Sequence, residues 1–140
     1  MTAGQVRAAG VRAERRDPPG APPALRPYYA NAVRVPAGDL LFISGQVAWD
    51  ADGAVVGRGD PVRQAEQVFA NIATILAAHG ATFEDIVKVT VYVTDLSWFD
   101  ELSEVRVRLF AVLPPASVIV QVVSLVDPDL LIEVEAIAAV

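Results

Sequence analysis

Two carboxylates near the end of the chain are the side chains best suited to chemistry. Residues 131–138 alternate between apolar and other side chains, so Glu133 and Glu135 lie on one face of a predicted strand. Side chains two residues apart on a strand are separated by roughly 7 Å. A carboxylate there can act as a general base toward water. It can equally accept hydrogen bonds or pair with a cation such as Lys88, and the alternation alone does not choose between these roles.

The composition excludes several classes of function. The chain has no Cys and one His, His79, which excludes thiolate nucleophiles, Cys-ligated metals and multi-histidine metal sites. The net charge of −6 argues against a nucleic-acid-binding protein. No apolar run is long enough to span a membrane, and the N-terminus has no signal-peptide core, so we expect a cytoplasmic protein.

The 140 residues suit one domain preceded by a tail. Residues 1–26 contain arginines, prolines and no apolar periodicity, so we predict a flexible N-terminal tail there and a domain over residues 27–140. Hydrophobic residues make up 54% of the chain, which is more apolar surface than one small domain can bury. We therefore expect the domain to associate with copies of itself.

Hydrophobic periodicity predicts an α+β domain. Asp60 and Pro61 open one helix, which Gly80 ends, and Ser97 caps a second helix whose buried stripe includes Arg106. Strands are predicted at 30–35, 40–47, 86–94, 117–124 and 130–138, with a short edge strand at 54–57. Two helices can cover only one face of this mixed sheet, so the other face is available for association.

Five stretches in the chain carry a family resemblance. They are residues 29–33 (YANAV), 41–46 (LFISGQ), 85–95 (DIVKVTVYVTD), 114–117 (PPAS) and 132–138 (IEVEAIA). From about residue 28 to the end, the chain resembles the RidA (YjgF) family. The resemblance implies a chorismate-mutase-like fold and a homotrimer with a central barrel, helices outside and three clefts between subunits.

The resemblance also implies a chemistry. Many members hydrolyse reactive enamines and imines, such as those derived from 2-aminoacrylate, to keto acids and ammonia without a cofactor. Matched by motif, Glu133 is the glutamate that positions the attacking water, Tyr29 is the cleft tyrosine, and Ser44 and Gly45 form a backbone wall. Glu133 can instead be purely structural, the role we prefer for Glu135, and Tyr29 can simply pack at a strand start.

The chain departs from the family at the substrate-anchoring position. Members that act as deaminases read Pro-Ala-Arg-Ser, whereas this chain has Ser117 in place of the carboxylate-binding arginine. A serine hydroxyl does not replace the two charge-assisted bonds of an arginine fork. Ser103 stands where an asparagine is usual, and Ile119 makes the expected cleft more apolar. Four other arginines are candidates to restore a cationic site, and nothing in the sequence selects one: Arg34, Arg58, Arg106 and Arg108.

Two hypotheses of different classes follow. The first is a trimeric enzyme that hydrolyses an imine or enamine in an inter-subunit cleft, with a substrate that lacks the carboxylate of a standard 2-imino acid and belongs to a specialised biosynthetic pathway. The second is a ligand-binding or regulatory trimer without turnover. Endoribonuclease activity, attributed to some relatives, is a third option that the acidic charge argues against. The sequence names neither the substrate nor the role of the tail.

Overall fold

A four-stranded mixed sheet and two helices form the body of the protein, whose structure is a computed structural model that describes residues 13–140. The strands are β1 (Glu14–Arg16), β2 (Ala32–Arg34), β3 (Leu40–Val47), β4 (Ile86–Val93), β5 (Ala116–Gln121) and β6 (Ile132–Ala139). The helices are α1 (Pro61–Ala78) and α2 (Phe99–Phe110), and 3-10 turns precede β4 and α2. This architecture confirms the predicted α+β class.

The last strand lies inside the sheet. The strand order is β3-β6-β4-β5, with β6 antiparallel to β3 and β4, and with β4 and β5 parallel. Helix α2 supplies the crossover that a parallel pair requires. Because β6 has a neighbour on each side, its two glutamates are held by two ladders of backbone hydrogen bonds.

One face of the sheet is buried by the helices, and the other is not. Alternate residues of β4 and β6, such as Val89, Val91 and Val134, join the core formed with α1 and α2. The residues between them point to the opposite face, which we call the outer face. Phe42, in β3, is 70% exposed there, and Val118 and Val120 of β5 are also exposed. The protomer therefore leaves an apolar sheet surface uncovered.

Local capping differs between the two helices. The Asp60 carboxylate accepts a hydrogen bond from the backbone N–H of Arg63 at 3.0 Å, and Pro61 occupies the first turn of α1, as predicted. The predicted cap of α2 is wrong. The N-cap of α2 is Trp98, which makes no side-chain capping hydrogen bond. Asp95 caps the 3-10 turn that runs into α2: its carboxylate accepts a hydrogen bond from the Ser97 N–H at 2.8 Å. The prediction missed that a carboxylate two residues earlier is the stronger acceptor.

Two other predictions need correction. Residues 54–57 form only an isolated bridge between Trp49 and Val55, because Gly57 turns the chain with a positive φ. Residues 14–16 of the predicted flexible tail form β1, whereas residues 1–12 lie outside the described residues. The side chain of Arg15 donates to the carbonyls of Pro114 and Ile86, so backbone pairing and guanidinium contacts hold this strand without any apolar periodicity.

Over residues 13–140, no helix has the length and apolar character needed to cross a membrane.

Candidate functional site

The pairing register separates the predicted site residues onto two faces of the sheet. Glu133 is opposite Tyr92 on β4, which places it on the outer face. Ser117 is opposite Val89 and Ile119 is opposite Val91, and both valines are buried against the helices. Since paired residues share a face, Ser117 and Ile119 point to the helix side. A single protomer therefore does not bring Glu133 and Ser117 together.

A bulge in β3 positions the backbone beside Glu133. Ile43 pairs with Ala136 and Gln46 with Val134, so Ser44 and Gly45 together face a single residue of β6. A Cβ built on Gly45 would overlap the Oε1 atom of Glu133 and lie 2.9 Å from its Cδ atom and 3.2 Å from its Cγ atom. The glutamate thus lies directly against the bulge, and only glycine leaves room for it. The structure thus brings together two of the residues that the sequence predicted for the site, Gly45 and Glu133.

The two glutamates differ in what they contact. The Tyr92 hydroxyl donates to Oε1 of Glu135 at 2.9 Å. This hydrogen bond is the main cause of a raised pKa of Tyr92, with the nearby charge of Glu133 as a smaller cause. Within residues 13–140, Glu133 makes neither a side-chain hydrogen bond nor an ion pair. The carboxylate of Glu135 is therefore already hydrogen-bonded within the protomer, whereas the half-buried carboxylate of Glu133 is available to a ligand.

Gln64 fixes the chain at the entry to β6. Its side chain, which is fully buried in α1, donates to the carbonyls of Gly57 at 3.1 Å and Asp129 at 2.8 Å. Its carbonyl oxygen accepts from the N–H of Leu131 at 2.8 Å. One helix side chain thus satisfies three backbone groups, and two of them, on Asp129 and Leu131, come just before the strand that carries Glu133.

A second group of predicted residues surrounds a cavity on the helix side of β5. This helix-side cavity has a volume of about 340 Å³. It brings together three residues that the sequence predicted as ligand contacts, Tyr29, Ser117 and Ile119. The other residues of its wall are Leu25, Arg26, Tyr28, Phe99, Arg106 and Val118. Ser44, by contrast, lines a separate cavity of about 330 Å³ on the outer face, together with Lys88 and Glu135.

Arg106 is the functional candidate that the sequence could not select. It is only 4% exposed, and its Nη2 atom donates to the Oγ atom of Ser117 at 2.5 Å. Its guanidinium carbon lies 4.2 Å from the ring centre of Tyr28, in cation–π contact. Burial lowers the pKa of the Arg106 guanidinium, since desolvation disfavours the charged form. One sequence signal could have singled out Arg106: it lies on the apolar stripe of α2, four residues after Leu102.

The two tyrosines are held in fixed positions. Ser103 donates to the carbonyl of Phe99 at 2.8 Å, so the Tyr28 hydroxyl, 3.0 Å from the Ser103 Oγ atom, is the donor in their hydrogen bond. Ser103, one of the departures from the family pattern, thus anchors the tyrosine that stacks on Arg106. The Tyr29 hydroxyl accepts from the N–H of Leu25 at 2.9 Å. Its own proton is left to donate elsewhere.

No cluster of three or more His, Asp or Glu side chains is placed to hold a metal ion in the part of the chain that the structure describes.

Comparisons with known proteins agree with this architecture. Residues 19–140 match the family model described as Endoribonuclease L-PSP. The protein DfrA of Myxococcus xanthus is 42% identical over 118 residues, which cover 84% of this chain and 88% of DfrA. A RutC family protein of Pyrococcus horikoshii is also 42% identical over 118 residues, with 84% and 90% of the two chains covered.

Solved structures show the same fold. The Rid family protein YyfB of Yersinia pestis superposes with a TM-score of 0.82 at 34% identity, covering 91% of this chain and 98% of YyfB. RidA from a Psychrobacter species gives a TM-score of 0.68 at 38% identity, covering 86% and 94% of the two chains. The chain belongs to the RidA (YjgF) family.

Proposed function

We propose that this protein is a RidA-like enzyme that hydrolyses a small imine or enamine in a cleft between subunits of a homotrimer, without a cofactor. The observation that carries the proposal is the Glu133 carboxylate, which lies against the Gly45 bulge and has no partner within the described chain. A carboxylate without a hydrogen-bond or ion-pair partner in the protomer can orient a water molecule.

The two faces of the sheet support the proposal of a site between subunits. Glu133 lies on the outer face, whereas Tyr29, Ser117 and Ile119 surround the helix-side cavity. A cleft between copies can combine the outer face of one subunit with the cavity of its neighbour. The exposed apolar residues of the outer face, among them Phe42, favour such association.

The chemistry assigned to Glu133 is general base catalysis. Glu133 accepts a proton from water as the water oxygen forms a bond to the carbon of the C=N group, and the imine nitrogen gains a proton. The resulting carbinolamine releases ammonia and leaves a carbonyl group. An enamine reaches the same route after its β-carbon is protonated to give the imine. Positioned proton transfer of this kind contributes about 10²- to 10⁴-fold to a rate.

The test compares two isosteric variants, E133Q and E135Q, by ammonia release from freshly generated 2-aminoacrylate and from a neutral imine. We expect E133Q to lose about 100-fold or more in kcat with at least one of these substrates. E135Q should stay within a few-fold of the wild type, because Glu135 is already bonded to Tyr92. Equal turnover by E133Q and wild type would refute the assignment. If the wild type releases no ammonia from any imine, the protein is a ligand-binding trimer instead.

A further inference from the structure

The helix-side cavity contains a buried cation without a counter-charge. Ser117 is the single hydrogen-bond partner of Arg106 within residues 13–140, and no carboxylate of these residues lies within 4.0 Å of its guanidinium. The Nε atom of Arg106 is buried without any partner. Buried guanidinium groups are ordinarily paired, because an unpaired buried charge carries a large desolvation cost. An arginine left in this state is suited to an anion that arrives from outside the protomer.

The wall of the cavity reinforces that charge. Neither Asp nor Glu is among the described residues that line it. A second cation, Arg26, also lines the cavity, with its guanidinium carbon 5.6 Å from the ring centre of Phe99. Its other contact is Asp100, 3.9 Å away, whose side chain is 92% exposed. In a protein with a net charge of −6, this cavity is locally positive.

Ser117 adds a donor to the same site. Its Oγ atom accepts the N–H of Arg106, which leaves its own proton to donate. The positive charge of the guanidinium strengthens that donor. Tyr29 also keeps a proton to donate, because its hydroxyl oxygen accepts from Leu25. A serine at position 117 leaves room for Arg106, whereas an arginine there would place two guanidinium groups in one small cavity.

We propose that Arg106 and Ser117 bind the anionic group of the substrate, a carboxylate, in the helix-side cavity, so that Arg106 on α2 takes over the task of an arginine missing from β5. The site is a specificity determinant, and its role toward a substrate rests on the function proposed above. The cavity volume of about 340 Å³ suits a small molecule. From residue 117 alone, the sequence predicted a substrate without a carboxylate. The present proposal, which is based on the contacts of Arg106, is the opposite.

The test measures binding rather than turnover. Isothermal titration of the full chain with 2-oxobutanoate, a small keto acid, is compared with titration of 2-oxobutanamide, its neutral analogue. We expect the wild type to bind the acid at least about tenfold more tightly than the amide, because hydrogen bonds to charged groups are the stronger ones. R106Q should lose about 10- to 100-fold in affinity for the acid and little for the amide.

Two further variants separate binding from folding. R108Q is the matched control: Arg108 lies on the same helix, is 62% exposed and pairs with Glu66 at 3.6 Å, so its affinity for the acid should equal that of the wild type. S117A keeps Arg106 and should weaken acid binding several-fold. Thermal melts followed by circular dichroism establish that each variant is folded, and S117A decides the question if R106Q does not fold.

The outcomes distinguish this inference from the proposed function. Equal affinity of the wild type for the acid and the amide would overturn the anion site. So would a folded R106Q, or S117A in its place, that binds the acid as tightly as the wild type. If the acid binds through Arg106 while no imine is hydrolysed, the anion site holds and the proposed enzymatic function fails.

Discussion

Replacing Gly45 with alanine isolates the position of the Glu133 carboxylate from the stability of the fold. Gly45 does not have a positive φ, so its backbone conformation accepts an alanine. The new methyl group would overlap Oε1 of Glu133 and approach its Cδ atom to 2.9 Å, where ordinary contacts begin at 3.4 Å. The opposing atoms belong to the end of a flexible side chain, so Glu133 can swing away while the strands stay in place.

The expected size of the effect follows from this geometry. To clear the methyl group, the carboxylate oxygen must retreat by more than about 1 Å, and a misplacement of that size can cost about 100-fold in rate. The free energy of unfolding should change by less than about 1 kcal/mol, since Gly to Ala also reduces the entropy of the unfolded chain. G45A thus predicts a large loss of activity with little loss of stability.

The measurement pairs kcat for ammonia release with urea denaturation of G45A, E133Q and the double variant G45A/E133Q. If displacement of Glu133 is the cause, the double variant should be no slower than E133Q alone, because the two changes remove the same interaction. A G45A protein that retains wild-type kcat would refute the reasoning about the carboxylate. Additive losses would show that Gly45 acts through something other than Glu133.

Three further predictions concern association, capping and the entry to β6. Sedimentation of F42E should show chains of 14.9 kDa instead of the proposed trimer of about 45 kDa, whereas V112E, in the exposed segment after α2, should keep the size of the wild type. An F42E protein of wild-type size would contradict the role of the outer face. The hydrogen bond from the Ser97 backbone is the main cause that lowers the pKa of Asp95 below its ordinary value of 3.8. The ionised carboxylate therefore stabilises the folded protein above pH 3.8, and this stabilisation is lost as the pH falls through the pKa that Asp95 has in the folded state. The difference in urea midpoint between wild type and D95A should therefore shrink at acid pH, and a constant difference would contradict the cap. Q64L should lower the free energy of unfolding by about 2 kcal/mol, because it removes the side-chain partner of three partly buried backbone groups. A loss below about 1 kcal/mol in urea denaturation would contradict this role of Gln64.

Local patterns predicted most of the secondary structure. The bounds of β3 and α1 agree with the sequence, because alternation, an Asp-Pro start and a glycine stop act within a few residues of the chain. The family was also readable, since its motifs are contiguous stretches. The prediction errors arose where contacts between segments distant in the sequence determine the local structure. The strand β1 exists because residues 14–16 pair with residues 32–34 and because Arg15 reaches carbonyls about 70 to 100 residues away.

The sequence by itself determined which residue types are present and which of them alternate: two glutamates on one strand face, a serine in place of an arginine, and no cysteine. It could not show which of Glu133 and Glu135 has a hydrogen-bond partner, because the neighbours of both side chains are set by the pairing of β6 with β3 and β4. Nor could it choose among four arginines. Only the packing of α2 against β5 places the guanidinium of Arg106 on Ser117, eleven residues away, and buries it without a counter-charge. Burial and charge pairing are properties of the assembled fold, and the character of this cavity depends on them.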